Sequence, residues 1–151
     1  MLATELLPLS LLYEQDETAW LEAMAELIES GDHAALDFAN LREYLSDMAK
    51  RDRREVESRL IALLLHILKW EFQPAQRSRS WQASILEQRQ ELEGLVDRGV
   101  LRNHAEAALP DSYRKAVARA AIETGLPIES FPEDCRYSID ELLAYEPSSK
   151  S

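Results

Sequence analysis

One cysteine in 151 residues, Cys135, cannot make an internal disulfide or a four-thiolate zinc site, so neither crosslinks nor a thiolate-held metal replaces a hydrophobic core. Four glycines are too few for a turn-rich β architecture, and no alternating strand pattern, internal repeat or low-complexity run is present. Long apolar runs are also missing. The longest, residues 60–65, falls far short of the roughly 20 residues that a membrane span needs. The first twelve residues, MLATELLPLSLL, carry Glu5 and Pro8 but no Lys or Arg, and so lack the basic start of a secretory signal. Scarce thiols with no signal or span predict a cytoplasmic protein that does not insert into a membrane. The three histidines, His33, His66 and His104, include no pair three or four residues apart, the spacing by which a helix brings two ligands to one metal. No metal and no cofactor is expected.

Positive charge is the other deficit: 17 Lys and Arg stand against 28 Asp and Glu, a formal net charge of −11. Bulk attraction to nucleic acid or anionic lipid is opposed by that sign. The imbalance is uneven. Residues 1–49 hold 11 acids against Arg42 alone, residues 50–119 hold 14 basic residues against 10 acids, and residues 120–151 hold two against seven. A slightly basic centre between acidic ends fits charge complementarity between helices of the same chain.

What the chain has in quantity is helical patterning, within a composition of 46% hydrophobic and 30% charged residues typical of a globular domain. Asp16 opens a stripe of Trp20, Met24, Leu27 and Ile28 that Gly31 closes. A second stripe runs from Asp37 through Leu41, Leu45 and Met48 to Val56, Leu60, Leu64, Ile67 and Trp70, ending before Pro74. It is one long helix or two nearly collinear ones, with residues 50–54 as the expected break. Ser80 is expected to cap a helix bearing Trp81, Ile85, Leu92 and Leu95 that ends near Gly99. A short helix around Leu101 and Ala105 is expected to stop at Pro110, with Asp111 capping an Ala-rich helix to Gly125. An irregular strap follows. Ser138 with Glu141 makes a capping box for a last short helix. The prediction is an all-α, irregular bundle of five to six helices: a single domain over residues 13–145, with an apolar N-terminal arm at 1–12 and a frayed tail at 146–151.

The segment HILKWEFQPAQRSRSWQASILEQR at residues 66–89 resembles the largely cyanobacterial family catalogued as domain of unknown function twenty-nine. Its members pair a His-Leu-Leu-Lys-Trp-like run with Gln-Pro, Arg, Ser-Trp, Ile and Gln-x-x-x-Arg-like positions. Tyr13, Asp16 and Trp20 match the family's opening, and Tyr113, Glu123, Thr124, Gly125, Phe131 and Pro132 its closing third. Glu17 and the weaker acidic pattern after Leu41 depart from it. The resemblance implies a compact helical fold and no activity.

Candidate functional residues gather on two helices. Arg59, His66 and Gln73 recur every seven residues, with Lys69 and Trp70 one turn beyond His66. Arg77 lies in the following loop. Trp81, Gln88 and Arg89 lie on the next helix, where Gln88 falls in line with core positions and needs a buried partner. Since His66 and Gln88 both interrupt apolar stripes, the prediction is that they pair and hold their helices in register. Two classes of function fit: a binding or regulatory module with a protein partner or a second copy of itself, homodimeric or antitoxin-like, and an enzyme using His66 for proton transfer with Arg77 and Arg89 on a small anionic substrate. Lys50, Arg51, Arg53, Arg54, Arg77 and Arg79 around Trp81 form the one basic cluster, which the net charge opposes as a nucleic-acid site. The leucines at 2, 6, 7, 9, 11 and 12 need cover from this chain or another.

Overall fold

The computed structural model describes residues 7–148, and every regular element among them is helical. Six α-helices follow in order: α1 Leu9–Gln15, α2 Glu17–Ser30, α3 Phe38–Phe72, α4 Arg79–Val96, α5 Gly99–Thr124 and α6 Ile139–Leu143, with short 3₁₀ turns at His33–Ala35, Pro74–Gln76 and Ile128–Ser130. They fall into two compact units, Met1–Lys50 and Arg51–Ser151, and the division lies inside α3. None of the described helices is long and apolar enough to cross a membrane.

In the first unit Trp20 is the central side chain, fully buried, with Tyr13 and Tyr44 tilted against it at ring separations of 4.7 and 5.9 Å. Its indole N–H donates to Asp37 Oδ2 at 3.2 Å, which satisfies the polar end of an otherwise apolar residue. Asp16 caps α2 by accepting from the Ala19 N–H, and Gly31 ends it at φ 80°. Of the arm, residues 1–6 lie outside the described residues, while α1 starts just after Pro8 and packs on α2.

The second unit is built around α3. From Leu60 to Trp70 eight residues are buried, on every side of the helix, which is the pattern of a helix at the centre of a core. Ile85, Leu92 and Val96 of α4, Ala105, Tyr113, Ala116 and Ala120 of α5, Phe131, and Ile139 and Leu142 of α6 close around it. Three boundaries differ from the sequence reading. Residues 50–54 do not break α3, because four of the five are Lys or Arg, good helix formers, and the Glu55–Arg59 pair, 2.8 Å apart one turn on, supports the run. Ser78 rather than Ser80 caps α4, accepting from the Trp81 N–H at 3.2 Å. Pro110 does not end a helix: α5 runs through it, and burial of Ala105 before it and of Tyr113, Ala116 and Val117 after it offsets the roughly 3 kcal/mol that an internal proline costs. The turn between α4 and α5 is made by Gly99 at φ 78°, where a side chain would be strained. The capping box of Ser138 and Glu141 is present on α6.

Candidate functional site

The end of α3, the Pro74 turn and the start of α4 bring most of the sequence-selected residues together, and each has a partner within the chain. Arg59 Nε donates to Glu55 at 2.8 Å and Arg59 Nη1 to Gln88 Oε1 at 3.2 Å. The Gln88 partner is therefore Arg59 and not His66, which corrects the register pairing expected above: an arginine fork reaches across to α4, where an imidazole does not. His66, half-buried, places Nδ1 2.7 Å from the Ala62 carbonyl one turn back on its own helix. Because that carbonyl only accepts, Nδ1 carries the proton.

Lys69 and Gln73 fasten α3 to the end of α5. Lys69 Nζ lies 3.3 Å from Glu123 Oε1 and 4.8 Å over the Trp81 ring, and Gln73 Nε2 donates to the Thr124 carbonyl at 3.2 Å. That carbonyl is one of those a helix C-terminus leaves without an internal partner. Arg77 serves the end of α3 in the same way, donating from Nε to the Trp70 carbonyl at 2.9 Å while its guanidinium stacks 4.9 Å over the Trp70 ring.

Trp70 and Arg89 hold the segment beyond α6. The Trp70 indole donates to the Ser148 carbonyl at 3.0 Å, and Arg89 Nη1 donates to the Tyr145 carbonyl at 2.6 Å and to the Glu146 carboxylate at 2.7 Å. Of the tail expected after Tyr145, residues 146–148 are thus tied to α3 and α4, and 149–151 lie outside the described residues.

Glu71 was not among the sequence candidates, yet it is the centre of this end of the unit. Its Oε1 accepts from the hydroxyls of both Tyr137 and Tyr145, the latter at 3.1 Å, and the two rings meet edge to face at 5.5 Å. Burial and then the hydrogen bond to Glu71 push the Tyr137 phenol well above its ordinary value; burial, the Glu71 charge and the neighbouring Tyr137 do the same for Tyr145. Partners 66 and 74 residues away leave no local signal in the sequence.

A second feature lies on the other side of Tyr113, whose hydroxyl donates to the Pro132 carbonyl at 2.6 Å and pins the strap to α5. Beside that bond a concave trough of about 630 Å³ opens between α5 and the Ile128–Ser130 turn, with a smaller hollow of about 310 Å³ next to it. Cys135 borders the hollow; burial raises its thiol, which stays protonated and weakly nucleophilic. Among the described residues no three His, Cys, Asp or Glu converge as a metal site.

Fold and site together define an all-helical protein whose polar residues on α3 and α4 fasten helix ends and a C-terminal segment. The chain belongs to the family described as Domain of unknown function DUF29, whose model matches residues 12–146, as the resemblance at residues 66–89 implied. No curated protein and no solved structure was found to match it.

Proposed function

We propose that the protein is a binding module whose first unit recognises a basic protein partner. The observation that carries this reading is the mismatch between apolar side chains and burial in that unit. Among its described residues only Trp20 and Met24 are buried, while Phe38 and Leu45 are each 60% exposed and Ile28 is 51% exposed. Phe38 and Leu45, seven residues apart, lie along one stripe of α3, as an interaction face does. The chemistry of the occupant follows from charge. With 11 acids against one arginine in residues 1–49, a partner with lysines and arginines around an apolar patch is attracted, whereas a two-fold self-interface would set like charges against each other. The rival reading, an enzyme working through His66, draws less support, since Arg89 is spent on Tyr145 and Glu146 and His66 bonds its own helix.

The test is capture from native lysate, followed by calorimetry with the purified partner against wild type and a Phe38→Asp, Leu45→Asp double variant. A basic protein whose binding weakens with salt and is lost in the variant, at unchanged melting temperature, supports the reading. A partner that is acidic, binding indifferent to the two substitutions, or a stable homodimer by sedimentation overturns it.

A further inference from the structure

The trough beside Tyr113 belongs to the second unit, and of the ties described above only the Tyr113–Pro132 hydrogen bond borders it. Its floor is apolar and firmly built: Tyr113, Val117 and Phe131 are almost fully buried, and Pro132 is fixed in place by the Tyr113 hydroxyl. At about 630 Å³ it lies within the size range of small-molecule sites, and the Tyr113–Pro132 bond gives it its shape before any ligand arrives. Ile128 stands at its edge 58% exposed, an apolar wall that a bound body would cover.

The charge of the walls selects the ligand. Glu129 and Glu133 line the trough and have no ion-pair partner among the described residues. Its one cation, Arg114, is taken by Asp111 at 3.2 Å on the same helix. The adjoining hollow shares Tyr113, Arg114 and Glu133 and adds Asp134, so its walls repeat the same sign. An anion entering here meets three carboxylates and one arginine already paired. An ammonium meets carboxylates at the rim, which attract it, above an apolar floor.

We propose that this trough is a binding site for a small amphipathic cation, an aryl or alkyl body with a primary ammonium head. The body lies on Val117, Phe131 and Ile128, and the head reaches Glu129 and Glu133. The Tyr113 hydroxyl, which spends its proton on Pro132, keeps lone pairs that also accept from an ammonium.

Phenethylamine and tryptamine, titrated into the full ¹⁵N-labelled chain and followed by amide chemical shifts, test the assignment against two isosteres, phenethyl alcohol and phenylpropionate. The amines are expected to move resonances of residues 113–118 and 128–133, with affinity at least about tenfold above that of the alcohol and with no response to the carboxylate. Glu129→Gln with Glu133→Gln should abolish the preference for the amine, and Ala118→Trp, which fills the trough from an exposed position, should abolish binding without altering the melt. Equal response to amine and alcohol, shifts scattered over other surfaces, or no shift at several millimolar amine overturns the proposal. A lysine-bearing peptide that binds the trough when the free amines do not also overturns it, by assigning the site to a macromolecule.

Discussion

Replacing Glu71 by alanine removes one acceptor and leaves two phenols without it. Tyr137 and Tyr145 both donate to the same Oε1, from the strap and from the segment after α6, so the carboxylate joins three parts of the second unit at one atom. A hydrogen bond to a charged group contributes about 1.5–3 kcal/mol, and water replaces part of it at half-buried hydroxyls, so the expected loss is about 2–3 kcal/mol for the pair. In a chain of this length each kcal/mol moves the midpoint by about 2–4 °C, which gives a fall of roughly 5–10 °C. Far-ultraviolet circular dichroism during heating reads this directly. Glu71→Gln, which keeps an acceptor and drops the charge, should lose less than half as much. The cycle with Tyr137→Phe and Tyr145→Phe should show strong coupling, because removing the hydroxyls first removes most of the penalty. A midpoint within about 1 °C of wild type for Glu71→Ala would refute the role assigned to this carboxylate.

The same cluster sets an alkaline limit. The folded phenols of Tyr137 and Tyr145 lie above their unfolded value near 10, so the stability they contribute is complete below about pH 10 and is lost as pH rises toward their folded values; absorbance at 295 nm should show these two ionising last and together with unfolding. His66→Leu should leave stability within about 1 kcal/mol of wild type, since only a bond to its own helix is lost and apolar contact is gained; a loss above 2 kcal/mol would restore an inter-helix role for this histidine. Asp37→Ala should cost about 1–3 kcal/mol in chemical denaturation by stranding the Trp20 indole, and an unchanged midpoint would mean that water takes the indole N–H. Pro110→Ala should stabilise α5 by about 1–3 kcal/mol, with a measured loss counting against an unbroken helix.

Much of the fold was legible because its signals are local. The caps at Asp16 and Ser138, the stop at Gly31 and the Leu-rich stripe of α3 each lie within a few residues of the structure they determine. The structure departs from the sequence reading where tertiary packing outweighs a local rule, as at Pro110, or where two serines two residues apart, Ser78 and Ser80, compete for one cap. The candidate residues cluster as their spacing on α3 and α4 suggests, but their partners were not legible. Gln73 meets Thr124 and Arg89 meets Tyr145 at separations of 51 and 56 residues, and neither Glu71 nor the Tyr113 trough has a periodic signature.

Burial on every side of residues 60–70 also has a cost during synthesis. The run emerges from the ribosome with none of its cover made, since α4, α5 and α6 all follow it in the chain. Translation at 5–20 residues per second needs roughly 4–15 s to go from Trp70 to Leu142, and until then the apolar cover of this leucine-rich helix is incomplete. The nascent chain is most open to chaperone capture or aggregation in that window, and charged residues at 50–54 immediately upstream stand where they keep the exposed run in solution.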